Sequence, residues 1–355
     1  MDQLRDEIWQ QPATLAAVRK YYTSPGAIPE KALAELAGGA PAAVIFTGMG
    51  ASLHAAYPAR AYLTAHGIHA LIWEAAELLH HHLNVLRRET LLVAVSQSGE
   101  TIEITELLEH LPAEVRVAAV TNVERSTLAR RAQLLLPMMA GSQSTVSTKT
   151  YMSSVAVLMY LALAVAHEPH RPLTEALMQA IDAQERILDR HGTLLPAALA
   201  FFDDPPYVAL LSRGPDLASA YQGSLMLKEV ARMAAEPMSA AQFRHGPIEI
   251  LNPAHRYVIF ARANETQPRA AANTQKLLLN LAEDIRSHGG RVLLISDASP
   301  EDLLNIHLIP VEPIRLGLGT LVDTLHLQLL ARDLALRKGF EPGKFWIAEN
   351  VTRKE

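Results

Sequence analysis

The sequence predicts an α/β chain built from two tandem, doubly wound domains of parallel sheet, and three observations carry that expectation. Strand-like apolar runs alternate with helical patterns twice over, as βαβ units do. The two series share spelling in the same order. Gly50 and Tyr57 recur as Gly214 and Tyr221, Glu100-Thr101 as Glu265-Thr266, Arg116-Val117 as Arg291-Val292, and Leu136-Pro137 as Ile309-Pro310. A length of 355 residues is enough for two domains, each with its own core.

Helical patterns over 3–22 and 29–37 open the chain, and residues 1–34 read as N-terminal helices. The first sheet domain, 35–170, carries strand-like runs at 43–46, 70–73, 91–95, 117–120 and 134–136. It ends in an apolar stretch at 155–166 that is too short to cross a bilayer and reads as a buried helix. Linking helices fill 171–200. The second sheet domain, 201–339, has runs at 207–211, 257–260, 291–295 and 306–309. Residues 340–355, with Pro342 and Gly343 and little helical period, form an extended tail.

Composition excludes several function classes. Hydrophobic residues make up 49% and charged residues 19%, which fits a globular enzyme and not a disordered chain. A net charge of −5 gives no footprint for nucleic acid or an acidic membrane. The absence of cysteine removes disulfides, thiolate zinc sites and a cysteine nucleophile. Acids at Asp2, Asp6 and Glu7 stand where a signal peptide would be basic and then apolar, so a cytoplasmic location is expected.

The turn Ser96-Gln97-Ser98-Gly99-Glu100-Thr101 follows an apolar strand and precedes a helical pattern at 102–111. First-turn amides, the helix dipole and neutral hydroxyls together suit a phosphate. The same residues also suit a capped helix with no ligand. Gly48-Met49-Gly50-Ala51-Ser52-Leu53, with Glu74 ending the next strand, imitates a dinucleotide fingerprint, although Leu53 stands where close packing wants Gly or Ala. Gly50, Ala51 and Ser52 alternatively offer a tight turn for a sugar or its phosphate. The run from Gly141 to Thr150 is either a polar loop with a helix cap at Ser147 or Thr148, or a loop over the same crevice, and both can hold.

Lys228 and Glu229 interrupt a segment, 217–233, that is apolar nearly all round. A buried carboxylate there would be raised toward the range of proton transfer; the plain alternative is a surface stripe. Gly246 and Pro247 constrain the direction of His245, which suits either a proton carrier or a structural histidine. His80-His81-His82 are adjacent on a helical pattern and diverge, so no metal site is assigned.

Taken together, the Ser96–Thr101 turn, Ser147-Thr148-Lys149, Leu227-Lys228-Glu229 and His245-Gly246-Pro247 resemble the sugar isomerase (SIS) fold, in particular the isomerase half of glucosamine-6-phosphate synthases. The resemblance runs from about Glu35 to the C-terminus. It implies two flavodoxin-like three-layer domains and a phosphosugar bound by Gly50, Ala51, Ser52, Ser96, Gln97, Ser98, Thr101 and Ser147. It further implies Glu229 as the base moving a proton between C1 and C2, His245 as the ring-opening histidine, no cofactor, and a homodimer with shared sites.

The chain departs from that pattern in three ways. It has no glutaminase portion with a cysteine, and the family's tail lysine falls on Glu349 or Asn350. An acid two turns before Glu229 is Gln222, and a second lysine is Met226. A substrate carrying its own amine needs no lysine imine. The expectation is a phosphosugar isomerase or deaminase acting on an amino sugar 6-phosphate or a related ketosamine or ketose phosphate. A non-catalytic phosphosugar sensor is the alternative.

Overall fold

The computed structural model describes residues 2–26, 41–263, 268–298 and 306–347. The helix expected over 29–37, the pair Glu265-Thr266 and the tail positions Glu349, Asn350, Arg353 and Lys354 lie outside the described residues. The chain forms two compact units, Ala13–Met178 with Phe345–Glu355, and Gln179–Lys344 with Met1–Pro12. No helix among the described residues is long and apolar enough to cross a membrane.

The first unit holds a five-stranded parallel sheet of β1 (Ala43–Gly48), β2 (Ala70–Glu74), β3 (Thr90–Val95), β4 (Arg116–Thr121) and β5 (Leu134–Pro137), in the order β2-β1-β3-β4-β5. Helices cover both faces of a parallel sheet, so central strands lose water on both sides and read as continuous apolar runs. β3 is buried at every residue. On one face Leu92 and Ala94 pack with Ile104 and Leu107 of the helix Ile102–His110 and with Leu78 of the helix Ala75–His81. The helix Lys149–Val165 is buried almost throughout, as its apolar sequence requires. Tyr22, at the end of the helix Gln11–Tyr22, stacks on Tyr160 at 5.2 Å and donates to the Pro137 carbonyl at 2.9 Å.

The second unit repeats the plan. β6 (Val208–Ser212), β7 (Ala235–Ser239), β8 (Arg256–Ala261), β9 (Arg291–Ser296) and β10 (His307–Pro310) form a parallel sheet in the order β10-β9-β8-β6-β7. Counted from its own first strand, this is again 2-1-3-4-5, the flavodoxin-like order. Gly50 and Gly214, matched by sequence, both take a left-handed backbone, at φ 50° and 62°. Leu211, Tyr257, Ile259 and Leu294 meet Leu278, Leu281 and Ile285 of the helix Pro268–Ser287 in the core.

Two readings are corrected. β7, with Glu236 and Pro237, escaped the apolar-run criterion; it is an edge strand, where a proline removes no shared ladder bond. The opening helix pattern over 3–22 is two helices, Gln3–Trp9 and Gln11–Tyr22, with Gln10 between them. The shorter helix belongs to the second unit, where Asp2 pairs with Arg332 at 2.6 Å and Gln11 donates to Gln328 at 2.6 Å.

At the carboxyl end of the second sheet, the fully buried Arg262 grips Asp323 of the helix Thr320–Arg337. Its Nε and Nη2 reach one carboxylate oxygen at 2.9 and 2.6 Å, Ser219 donates to the other at 3.1 Å, and Nη1 donates to the Glu312 carbonyl at 2.7 Å. Removing one partner of such a pair leaves an uncompensated buried charge. Asp323→Ala is therefore expected to lower unfolding stability by about 3–5 kcal/mol, read from the urea midpoint.

Candidate functional site

In the first sheet β1 lies between β2 and β3, so the chain leaves β1 and β3 toward opposite faces and opens a crevice at their carboxyl ends. Gly48 pairs in register with Val95, and a Cβ on Gly48 would lie 2.8 Å from the Val95 carbonyl oxygen. This close approach sets the turn Gly50-Ala51-Ser52 beside the turn Ser96–Thr101. Seven of the eight expected ligand-binding residues thus occupy neighbouring loops, and Ser147 follows on a third.

The Ser96 turn is held from inside. Ser96, itself buried, accepts from the Gly99 amide at 3.0 Å and shares a hydrogen with Thr101 Oγ1 at 2.9 Å, while Ser98 Oγ accepts from the Glu100 amide at 3.1 Å. Gly99 has φ +66°, and a Cβ there would fall 2.1 Å from Ser126 Oγ. Glu100 points its carboxylate away, accepting from the Thr127 amide at 2.7 Å at the start of the helix Thr127–Arg131. The acid within the turn is thereby satisfied by another helix terminus.

Thr101 occupies the N-cap position of the helix Ile102–His110, yet its side chain accepts no first-turn amide. The reading of this turn as a self-capped helix is corrected: the hydroxyl that would cap is bonded to Ser96. First-turn amides at Ile102 and Glu103 have no acceptor within the helix. Gly50, N-cap of the short helix Ala51–His54, likewise brings no side-chain cap.

The loop after β5 is clamped by Gln143. Its Oε1 accepts from the Thr150 amide at 3.0 Å, and its Nε2 donates to Thr148 Oγ1 at 3.2 Å and to the Val146 carbonyl. Ser147 Oγ then lies 2.9 Å from Thr150 Oγ1. The expected cap at Ser147 or Thr148 is not made by the residue in the N-cap position, Thr148; its side chain caps nothing, because its backbone turns away at φ −113°, ψ −82°. The dinucleotide reading also fails on its acid. Glu74 accepts from the Ala76 amide at 3.1 Å and caps the following helix. At the end of that helix the His82 ring packs on Trp73 at 4.1 Å, and the His80 and His81 rings lie 6.4 Å apart at 65°.

The second unit carries the titratable pair. Glu229 is the last residue of the helix Leu217–Glu229 and is half-buried, whereas Lys228 is exposed. No hydrogen bond or ion pair joins the Glu229 carboxyl to another described residue, and burial pushes it up to about 7. His245 is exposed, just past the short helix Ala240–Phe243, with its amide donating to Gln242 at 3.0 Å and Gly246 at φ 120°. Glu229 and His245 are not bonded to one another.

Residues 41–164 match the SIS domain family model. The chain is a SIS domain protein. It is 30% identical over 360 residues to the isomerizing glutamine–fructose-6-phosphate aminotransferase of Zymomonas mobilis, covering 95% of this chain and 56% of that one. The Aeropyrum pernix enzyme of the same name is 30% identical, with 95% and 55% covered. The chain thus spans about half the length of these curated relatives. Its fold matches the C-terminal domain of glucosamine-fructose-6-phosphate aminotransferase from Francisella tularensis at a TM-score of 0.85, with 22% identity and 96% and 98% of the two chains covered. It also matches glucosamine-6-phosphate deaminase of Thermotoga maritima at 0.73, with 18% identity and 99% of each chain covered. The two sheets are tandem SIS domains.

Sequence reasoning missed two residues that shape the first SIS domain's crevice. Asn122 receives on Oδ1 from the Ala140 amide at 3.1 Å, donates from Nδ2 to the Gly141 carbonyl at 2.7 Å, and donates its own amide to the Gln97 carbonyl at 3.1 Å. It ties the Ser96 turn to the loop after β5. Gln143 is the other. Asn122 had one signal, a polar residue just past a buried strand, the place where α/β crevices collect ligands.

Gly99→Ala is expected to cost at least about 2 kcal/mol, because a left-handed backbone and a clash with Ser126 combine; chemical denaturation measures it. For Glu229 the sign follows from a raised acid pKa. Between about 4.5 and about 7 the folded state holds the proton and the unfolded state does not, so this group's contribution falls as pH rises. Glu229→Gln should therefore match the parent's melting temperature at pH 4.5 and exceed it above pH 7.

Proposed function

We propose that this chain is a phosphosugar enzyme of the isomerase or deaminase type, acting on an amino sugar 6-phosphate or a related ketosamine or ketose phosphate. The observation that carries this reading is Glu229: an unpaired, half-buried carboxyl raised to about 7 is matched to taking and returning a proton near neutral pH. In the proposed reaction the hydroxyls and amides of Ser52 and the Ser96–Thr101 turn hold the phosphate, with Gly50, Ala51 and Ser147 beside the sugar. His245 assists ring opening. With an open-chain 2-amino aldose, Glu229 takes the C2 proton while the C1 aldehyde becomes an enol, and the proton returns at C1 to give the 2-imine of the ketose. Water hydrolyses that imine to ketose phosphate and ammonia. With a ketose or aldose the same proton shift between C1 and C2 is an isomerisation.

The two named relatives act, by their names, as isomerizing aminotransferases on fructose-6-phosphate. The substrate's own nitrogen would serve here in place of a tail lysine, since Glu349 or Asn350 occupies that position. A homodimer with shared sites belongs to the same proposal, because His245 is exposed and bonds nothing on Glu229. A phosphosugar sensor without turnover is the second reading, favoured by Gln222 and Met226, both buried where the family's pattern has an acid and a lysine.

Incubation with glucosamine-6-phosphate, and with fructose-6-phosphate plus ammonia, separates the readings. Turnover that rises with pH through about 7 and falls by about 10²–10⁴-fold in Glu229→Gln is the expected result. Thermal stabilisation by these sugars without product would replace the enzyme by the sensor.

A further inference from the structure

A cavity of about 690 Å³ opens in the second unit at the amino end of its sheet, away from the carboxyl end where Arg262 meets Asp323. Phe201 of the helix His191–Phe202, Arg286 and the Gly289-Gly290 turn after the helix Pro268–Ser287, Arg291 opening β9 and His307 opening β10 line it. Its charge is lopsided. Arg256 and Arg291 are register partners on neighbouring strands, and both guanidinium groups sit over the Phe201 ring, at 5.4 and 5.5 Å from its centre.

Like charges directly opposite one another destabilise a sheet. Arg256, buried behind the wall, spends its donors on the carbonyls of Phe201, Pro253, Ala254 and His255, so no carboxylate neutralises it by direct contact. Arg291 is exposed and makes no ion pair with any described residue. Arg286 is paired with Glu283. Among the described residues, three guanidinium groups therefore meet one directly bonded acid around this cavity, with Asp203 acting on Arg256 only at longer range, in a chain whose net charge is −5. The opening next to it, which shares Ala197 and His307, adds Arg186, paired with Glu312, and Arg190.

We propose that this cavity is a second anion site, for a polyphosphate either free or carried by a nucleotide, with Arg291 as the principal donor and Arg286 as its partner. Guanidinium forks suit phosphoryl oxygens, and the volume lies within the range of small-molecule sites. An anion between the arginines would offset the repulsion that Arg256 and Arg291 otherwise carry.

Calorimetric titration of the full chain with ATP and with pyrophosphate, at low salt, tests this. Saturable binding of at least one probe, at one per chain, is expected, with affinity falling about tenfold or more in Arg291→Ala and in Arg286→Ala. Ser98→Ala, in the hydroxyl turn of the other unit, should leave that binding unchanged. Tighter binding of ATP assigns the site to a nucleotide, and equal binding assigns it to free polyphosphate. Without ligand, Arg291→Ala should melt no lower than the parent, since a repulsion is removed. Failure of both probes to saturate, or arginine variants that bind like the parent, overturns the proposal. So does loss of binding in Ser98→Ala, which would move the anion to the hydroxyl turn.

Discussion

The close approach of β1 and β3 is the constraint on which the first unit's chemistry depends. Parallel strands in the order 2-1-3-4-5 send the chain out of those two strands toward opposite faces, which opens a crevice at their carboxyl ends. Glycine at 48 lets the backbone come within reach of Val95. Everything polar nearby is then arranged around donors rather than fixed charges. Ser96 and Ser98 brace the turn, Glu100 is drawn off by the next helix, and Thr101 is taken out of its capping role.

The second unit has the same strand order and fills the equivalent region differently. Arg262 brings a permanent cation into the core, and Asp323 neutralises it within the same fold. Asp216, buried next to them, is held well above the usual carboxylate range by burial and by the Asp323 charge. In the first copy this place is built from neutral hydroxyls and amides, and in the second from an ion pair. A duplicated frame thus ends in one crevice edged by neutral donors and one closed by an internal ion pair.

Legibility in the sequence followed the range of the interactions. Doubly covered strands such as β3 were readable because burial on both faces demands apolar residues throughout. β7 was not, because an edge strand can hold Pro237 and Glu236 without breaking a ladder. The Ser96–Thr101 turn was readable since its residues bond to one another within six positions. Asn122 and Gln143 were not, because what they do depends on carbonyls and amides brought near only by the fold. Thr148 marks the limit of local rules: it has the residue type and place of a cap, yet its backbone turns away and its hydroxyl accepts from Gln143 instead.

Glu229 shows why adjacency in sequence misleads about environment. Successive helical residues are rotated by about 100°, so Lys228 turns to solvent while Glu229 is drawn partly inside. Burial alone raises the carboxyl. Lys228, the adjacent cation, is exposed and forms no ion pair with Glu229 that would pull the value back. An isoelectronic amide in the same place would keep the packing and shed the desolvation cost, so the acid is the less stable choice for this helix end. A carboxyl that costs stability where an amide would not is the kind of group that proton-transfer chemistry uses. Under the function proposed above, that asymmetry bears on turnover more than the hydroxyl turn does, because holding phosphate needs no group that titrates near 7.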